Sequence, residues 1–195
     1  MQPANCFLVI GTRNIIIVEV KDLNIHASLV EECKKGNRKA QFSLYNQYSR
    51  AMYNLAYRMT NNREDAEDIL QETFVECFRN LSSFRFESTF GAWLKTILIN
   101  RSINHLRKKK INLVCLENIP DTPTDDVPEA AYSTDTIIKA IEMLPDGYRI
   151  VLTLYLLEGY DHSEIAQIMG ITESTSKSQY SRAKSKIRDM ITKKN

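Results

Sequence analysis

From residue 27 to residue 109 the sequence holds no proline and only two glycines, Gly36 and Gly91. A stretch this long without helix breakers, and rich in helix formers, is confined to helices joined by short turns. Within it, residues 41–59 place Phe42, Tyr45, Tyr48, Met52, Leu55 and Met59 at spacings of three and four, the repeat of one buried helix face. The helix that follows carries an apolar stripe of Ala66, Ile69, Leu70, Phe74, Cys77, Phe78 and Leu81. A polar stripe of Asp65, Asp68, Glu72, Glu76 and Arg79 runs along its other side, so that one side packs and the other is free to bind. The spacing predicts an N-terminal helical bundle over residues 26–110.

Residues 111–134 change character, with Pro120, Pro123 and Pro128 among Glu117, Asp121, Asp125, Asp126 and Glu129; this composition predicts an acidic, flexible and extended linker. Helical spacing returns from Thr134 through Ile137, Ile138, Ile141 and Leu144, is punctuated by Pro145 and Gly147, and resumes over 148–157. Gly159 and Gly170 then bracket a short helix opened by the capping box Asp161-x-x-Glu164. Thr172 caps a last helix whose inner face is Tyr180, Ala183, Ile187 and Ile191. A short helix, a tight turn with glycine and a longer basic helix make a helix-turn-helix domain over 135–195. The first 25 residues stand apart, because 7–10 and 15–20 are rich in β-branched residues around 11–14; they are read as an extension, either a small hairpin or disordered. The expected fold class is therefore all-α, with two small helical domains, an acidic linker between them and a short N-terminal extension.

Charge is segregated along the chain in a way that its net +2 conceals. Residues 64–76 carry six acids and no base, residues 101–110 carry five Lys or Arg and no acid, and residues 177–194 carry seven Lys or Arg against the single acid Asp189. Two distant basic blocks point to two contacts with a polyanion, and the acidic block faces something else. Several classes are excluded. Cys6, Cys33, Cys77 and Cys115 form no C-x-x-C pair and His26, His105 and His162 stand isolated, so neither a metal site nor a disulfide framework is indicated; Cys33 and Cys77 are read as core thiols. No convergent carboxylates, glycine-rich phosphate loop or nucleophile–base pair suggests an enzyme or a cofactor. No apolar run approaches the length of a membrane span and no secretory signal is apparent, which leaves the cytoplasm as the expected location.

The run Asp65-Ala66-Glu67-Asp68-Ile69-Leu70-Gln71-Glu72-Thr73-Phe74 resembles the most recognisable stretch of the sigma-70 family of RNA polymerase sigma factors, in its extracytoplasmic-function (ECF) class. Three further segments agree in order. Leu29-Val30 with Gly36, Ala40, Phe42, Leu44 and Tyr45 is similar to that family's opening helix. Phe90-Gly91-Ala92-Trp93-Leu94, followed by Asn100 and the basic run to Lys110, is similar to its promoter-melting segment. Leu144-Pro145, Tyr148-Arg149, Glu164-Ile165-Ala166, Met169-Gly170-Ile171, Lys177-Ser178 and Arg182-Ala183 are similar to its C-terminal helix-turn-helix domain. The resemblance covers residues 26–192. It departs where the family usually has Gly-Thr-Val-Lys-Ser-Arg-Leu and this chain has Ser174-Thr175-Ser176-Lys177-Ser178-Gln179-Tyr180: Ser176 weakens the buried face, and Gln179 removes a phosphate contact and is read either as a surface residue only or as one that touches DNA.

The resemblance implies a protein that performs no covalent chemistry and needs no cofactor. It would carry core RNA polymerase to promoters, open the DNA there and answer to an anti-sigma factor, without membrane insertion. Asp65, Asp68, Leu70, Gln71, Glu72 and Phe74 would dock on the coiled coil of the polymerase's largest subunit. Phe84 and Phe86, in a loop-like segment, with Asn100, Arg101, Asn104, Arg107 and Lys108 would hold the single-stranded minus-ten element, since basic grooves with aromatic platforms capture unstacked bases. Phe90 and Trp93 stand on an apolar face with Leu94 and Ile97 and are assigned to the core. Lys177, Ser178, Ser181, Arg182 and Lys184 point outward from the last helix, where they can meet phosphates and base edges of the duplex minus-thirty-five element. A helix-turn-helix regulator that binds an operator without polymerase is the alternative; it leaves the acidic stripe and the aromatic–basic segment without a role.

Overall fold

The structure, a computed structural model, describes the backbone of residues 20–109 and 133–192, with side chains from residue 27 onward. The helices are α1 (Val20–Lys34), α2 (Arg38–Thr60), α3 (Arg63–Asn80), α4 (Phe90–Lys108), α5 (Thr134–Glu142), α6 (Asp146–Leu152), α7 (His162–Met169) and α8 (Glu173–Thr192). A 3-10 turn, Leu81–Ser83, follows α3, and a π-helical segment, Thr153–Leu157, prolongs α6. No strand occurs among the described residues, as the all-α reading expects. Of the expected N-terminal hairpin, Val20 is helical and the remainder lies outside the described residues, as does nearly all of the expected linker.

Side-chain caps explain where most of the helices begin. Asn37, Asn62, Thr89 and Ser133 each accept a backbone N–H from the first turn of α2, α3, α4 and α5. Asp161 and Glu164 close the expected capping box on α7, Gly170 ends that helix at φ 63°, and the Thr172 hydroxyl accepts Thr175 N–H at the start of α8. Asn61 ends α2 in the left-handed region, at φ 52°, which turns the chain sharply into α3.

The helices α2, α3 and α4 pack on one another around Leu44, Leu55, Ile69, Leu94, Leu98 and Ile103, all almost fully buried. Cys33 and Cys77 lie in this core as expected; burial, with the Cys33 thiol nearby, pushes Cys77 up to about 12, which keeps it protonated and unreactive. Phe90 and Leu94 are core, with Trp93 and Ile97 packed against it. Phe42 is a correction: it is 67% exposed, because the buried face of α2 runs through Ala40 and Leu44 at its start. Ile137 and Ile138 are likewise exposed on α5, which turns Ala140 inward toward α8.

The C-terminal helices close around Leu144, Tyr148, Leu152 and Ala183, with Tyr180 and Ile187 packed against them. The apolar core does not stop there. Ile150, Val151, Leu154, Ile165 and Met169 join the core of α2–α4, so that α6 packs on α2 and α7 on α4. Polar contacts fasten the same seam. The Arg149 guanidinium, 2% exposed, donates to the carbonyls of Arg58 and Met59 at the end of α2 (3.2 and 3.3 Å) and to Leu144 O (2.9 Å), and pairs with Asp146. Asn61 Nδ2 donates to Glu142 O at 3.0 Å. Glu158, where the π segment ends, bridges Arg58 (3.1 Å) and Lys95 (2.7 Å).

His162 ties α7 to α8. Its ring stacks on Tyr155 at 4.5 Å, meets the edge of Tyr180, and its Nδ1 lies 2.9 Å from the buried Ser176 hydroxyl. Burial, then the charge of Lys177, hold the imidazole below its ordinary value against the opposing pull of Glu173 and Asp161. The unfolded chain therefore binds a proton that the folded chain resists. This contribution to stability is complete above the ordinary value of about 6.5 and declines as pH falls below it. The melting temperature should fall between about pH 7.5 and pH 5.5, and His162→Gln should flatten that dependence. Equal slopes for the parent and the variant in a thermal melt would contradict this role.

Candidate functional site

Packing the apolar face of α3 inward leaves it two polar edges, and the acidic stripe is divided between them. Asp65, Glu72 and Glu76 turn toward α4. There Arg101 reaches Glu72 and Glu76, each at 2.5 Å, Lys109 Nζ reaches Asp65 at 2.6 Å, and His105 Nε2 stands 3.2 Å from the same carboxylate. Burial works to raise the Asp65 carboxyl, and Lys109 and His105 outweigh it, so that it rests below the usual carboxylate value. Burial likewise works to lower Arg101, and Glu76 and Glu72 outweigh it in the other direction. Each exposed pair is worth ~1 kcal/mol or less, but the ladder joins two helices along several turns. The acidic stripe and the basic run of α4, separate in sequence, are thus neighbours that neutralise one another.

The second edge of α3 remains open. Asp68 and Gln71 are exposed, Asp68 makes no ion pair with any described residue, and the exposed apolar side chain of Val75 continues the row. Leu70 and Phe74, expected among the docking residues, are buried; Phe74 packs its ring against Tyr45 at 4.8 Å. Their periodicity serves both the core and the surface beside it, which is why spacing alone does not separate the two.

The aromatic segment before α4 also divides. Phe84 is only 4% exposed and packs against Phe90 and Trp93, with ring centroids 5.9 and 5.1 Å away. Phe86 is 43% exposed at φ 59°, an uncommon conformation for a bulky residue. Lys34, which the sequence reading did not single out, steadies this loop: its Nζ lies 4.5 Å from the Phe86 ring centroid and donates to Phe84 O at 3.1 Å. Along α4, Asn100, Asn104, Arg107 and Lys108 are exposed, whereas Arg101 is held by the α3 acids.

On α8, Lys177, Ser181 and Lys184 are exposed and Ser178 and Arg182 are half-buried. Lys177 pairs with Glu173 one turn earlier at 2.6 Å, and Lys184 Nζ lies 4.8 Å from the Tyr180 ring centroid. Gln179 is a correction, because it is 1% exposed. The inner face of α8 is wider than the four residues of the expected stripe: Ser176, Gln179, Tyr180 and Ala183 fall within it at spacings of three and four. Ser176 does stand on that face, and the bond with His162 satisfies its hydroxyl there. The residues that sequence reasoning missed are Arg58, Lys95, Arg149 and Glu158. Arg149 left a signal, being the one charged residue in the otherwise apolar or neutral run 148–157; a lone charge in such a run needs a buried partner.

No group of His, Cys, Asp or Glu among the described residues is arranged to hold a metal ion, and none of the described helices is long and apolar enough to cross a membrane. The Sigma-70 region 2 family model matches residues 44–111, and the Sigma-70, region 4 model matches residues 134–187. The chain is 30% identical over 177 residues to the ECF RNA polymerase sigma factor SigW of Bacillus subtilis (strain 168), a match covering 83% of this chain and 94% of that protein. It is 32% identical over 173 residues to the RNA polymerase sigma-H factor of Pseudomonas aeruginosa, covering 82% and 90%. The fold is similar to that of the sigma factor RpoE from Bartonella quintana, solved in complex with the anti-sigma factor NepR (TM-score 0.52, 24% identity, 77% of this chain and 95% of that one). It is similar also to that of CnrH in complex with the cytosolic domain of CnrY (TM-score 0.52, 19% identity, 87% and 99%). With two family models in the expected order and relatives matched over nearly their whole length, this chain belongs to the sigma-70 family of RNA polymerase sigma factors, in its ECF class.

Proposed function

We propose that this chain binds core RNA polymerase, directs it to the promoters of a particular regulon and helps open the DNA there. The observation that carries the reading is the presence, on one chain, of an open edge on α3 and two outward cationic faces, on α4 and α8. Residues 26–110 form the domain that docks on polymerase and handles the minus-ten element. Residues 135–195 form the domain that reads the minus-thirty-five element, and residues 111–134 join the two. Asp68 and Gln71, at the open edge, make the docking contact, with Asp65 and Glu72 beside them and Leu70 and Phe74 supporting the helix from within.

Phe86 offers a base-stacking surface, and Asn100, Asn104, Arg107 and Lys108 offer donors to the displaced strand. Arg101 joins them when the α3 acids release it, and Phe84 acts by holding the loop that presents Phe86. Lys177, Ser178, Ser181, Arg182 and Lys184 face the duplex major groove. The protein works in the cytoplasm, where polymerase and promoter DNA are its partners and an anti-sigma factor holds it in check. It carries out no covalent step, so that its whole effect is a difference in binding free energy between promoter and other DNA.

The deciding experiment is transcription reconstituted with cognate core polymerase. Start sites should appear at specific promoters only when the chain is added. Tight binding to a duplex operator without any association with polymerase would establish a regulator instead. Asp68→Arg and Gln71→Ala should each weaken co-purification with core about tenfold while stability changes by no more than ~0.5 kcal/mol; undiminished association would remove these residues from the docking surface. Arg182→Ala should reduce minus-thirty-five binding by ~1–2 kcal/mol and lower the salt slope by about one counterion. Identical footprints and salt dependence for variant and parent would place Arg182 away from DNA.

A further inference from the structure

The last residue of α1 reaches out of its own helix to hold a loop fifty residues further along the chain. Val30 and Cys33, buried in the core, fix the turn of helix from which Lys34 projects. The Lys34 ammonium has three donors, and each meets an acceptor of a different kind. Glu31 Oε1 lies at 3.0 Å, Phe84 O at 3.1 Å, and the centroid of the Phe86 ring at 4.5 Å. Glu31 stands one turn earlier on the same helix and orients the ammonium. The side chain of Lys34 is 21% exposed, so these contacts are made partly out of water, where a cation over a ring is worth more than at an open surface. Phe84 O and the Phe86 ring flank Arg85, so that one cation pins the chain on both sides of it.

Phe86 needs such a hold. Its φ of 59° lies in the left-handed region, where a bulky side chain persists only if its surroundings fix it. On one side of it Phe84 is rooted among Phe90 and Trp93, and the Phe84 ring stands 4.8 Å from that of Phe86. Its neighbours Arg85 and Glu87 are exposed and make no ion pair with any described residue, so Lys34 and the Phe84 ring are what fix it. The part of the ring they leave open is what a base can stack on. A platform already in position captures a base more tightly than one that must be ordered at the moment of capture. We infer that Lys34 is a positioning residue for strand opening, which presents the Phe86 ring ready oriented to an unstacked base of the minus-ten element. Its donors are occupied within the protein, so it acts through Phe86 and not on a phosphate. Residue 34 lies ahead of the region 44–111 that the family model matches. The inference rests on the functional reading above and deepens it, by giving α1 a part in base capture.

Two measurements on the full-length chain test this, the first without DNA. Trp93 is the only tryptophan of the sequence and lies against Phe84, so its fluorescence reports on the root of the loop. Lys34→Met, which keeps the stem and removes the charge, should raise the quenching of Trp93 by acrylamide. Lys34→Arg, which can remake the three contacts, should return it to that of the parent. The second measurement uses holoenzyme rebuilt with core polymerase, and forked DNA bearing the unpaired minus-ten strand of a promoter identified by reconstituted transcription. Lys34→Met should weaken binding of that fork about fivefold, Lys34→Arg should restore it, and affinity for the paired minus-thirty-five element should stay that of the parent. In a Phe86→Ala background the same change should cost nothing further, because the two residues act as a unit. The salt slope should also be unaltered, since no phosphate contact is lost. A lowered salt slope, or an equal loss in the Phe86→Ala background, would make Lys34 a DNA contact in its own right and overturn the positioning role. Unchanged quenching together with unchanged fork binding, or a loss that Lys34→Arg does not restore, would overturn it as well. Failure of the function reads differently. If quenching behaves as stated but the parent starts transcription at no promoter, base capture falls with the promoter reading while the hold on Phe86 stands; promoter-specific starts with quenching and fork binding unmoved by Lys34→Met remove the inference alone.

Discussion

Burying one apolar face of each of α2, α3 and α4 in a single core is the constraint from which the rest of this structure follows. Once Ile69 and Leu98 point inward from α3 and α4, helical geometry leaves each helix a polar edge facing the other. The acids of α3 and the cations of α4 are then obliged to meet, as Arg101 meets Glu72 and Glu76, and Lys109 meets Asp65. The same packing sends Asp68 and Gln71 to the open side. A surface that looks in sequence like one acidic ridge is in three dimensions a paired edge and an available edge, and only the available one is ready to meet a partner without first giving something up.

Much of the fold was legible because its signals are local. The capping box at Asp161 and Glu164, the left-handed Gly170 and the cap at Thr172 are decided within four residues of sequence, and each stands where local chemistry put it. The family relationship was legible for the same reason, from ordered short motifs on those helices. What the sequence did not disclose is what depends on distant partners. Phe42 and Gln179 both fit a periodic rule, but the neighbouring helices bury one side of α2 and a wide band of α8, which reverses the expected exposure of both. Phe84 and Phe86, two residues apart in one loop, have opposite fates, because Phe90 and Trp93 enclose the first, whereas the second lies outside it with only the Phe84 ring and Lys34 against it.

The seam between the domains shows the limit of local reading most clearly. Arg149 stands in a run whose other side chains are apolar or neutral, and no rule of helix periodicity says what a guanidinium should do there. Its acceptors are the last carbonyls of α2, ninety-one and ninety residues away along the chain. Those carbonyls are the groups that a helix end leaves without intrahelical partners, so the C-terminus of α2 and the buried arginine each satisfy a need that the other could not meet alone. The π-helical segment contributes in a related way, since it ends at Glu158 and delivers that carboxylate to Arg58 and Lys95.

These interactions differ in how readily they can be exchanged. The ladder between α3 and α4 is solvent-accessible on Glu72 and half-accessible on Arg101 and Glu76, so a polymerase surface or a phosphate can replace one partner at small cost. The Arg149 contact is dry, and opening it exposes a guanidinium together with two helix-end carbonyls, all of which water can satisfy once the seam is apart. Domain separation is therefore a change between two satisfied states rather than the loss of a buried bond. A partner that replaced these contacts would need to supply only the difference between the two states.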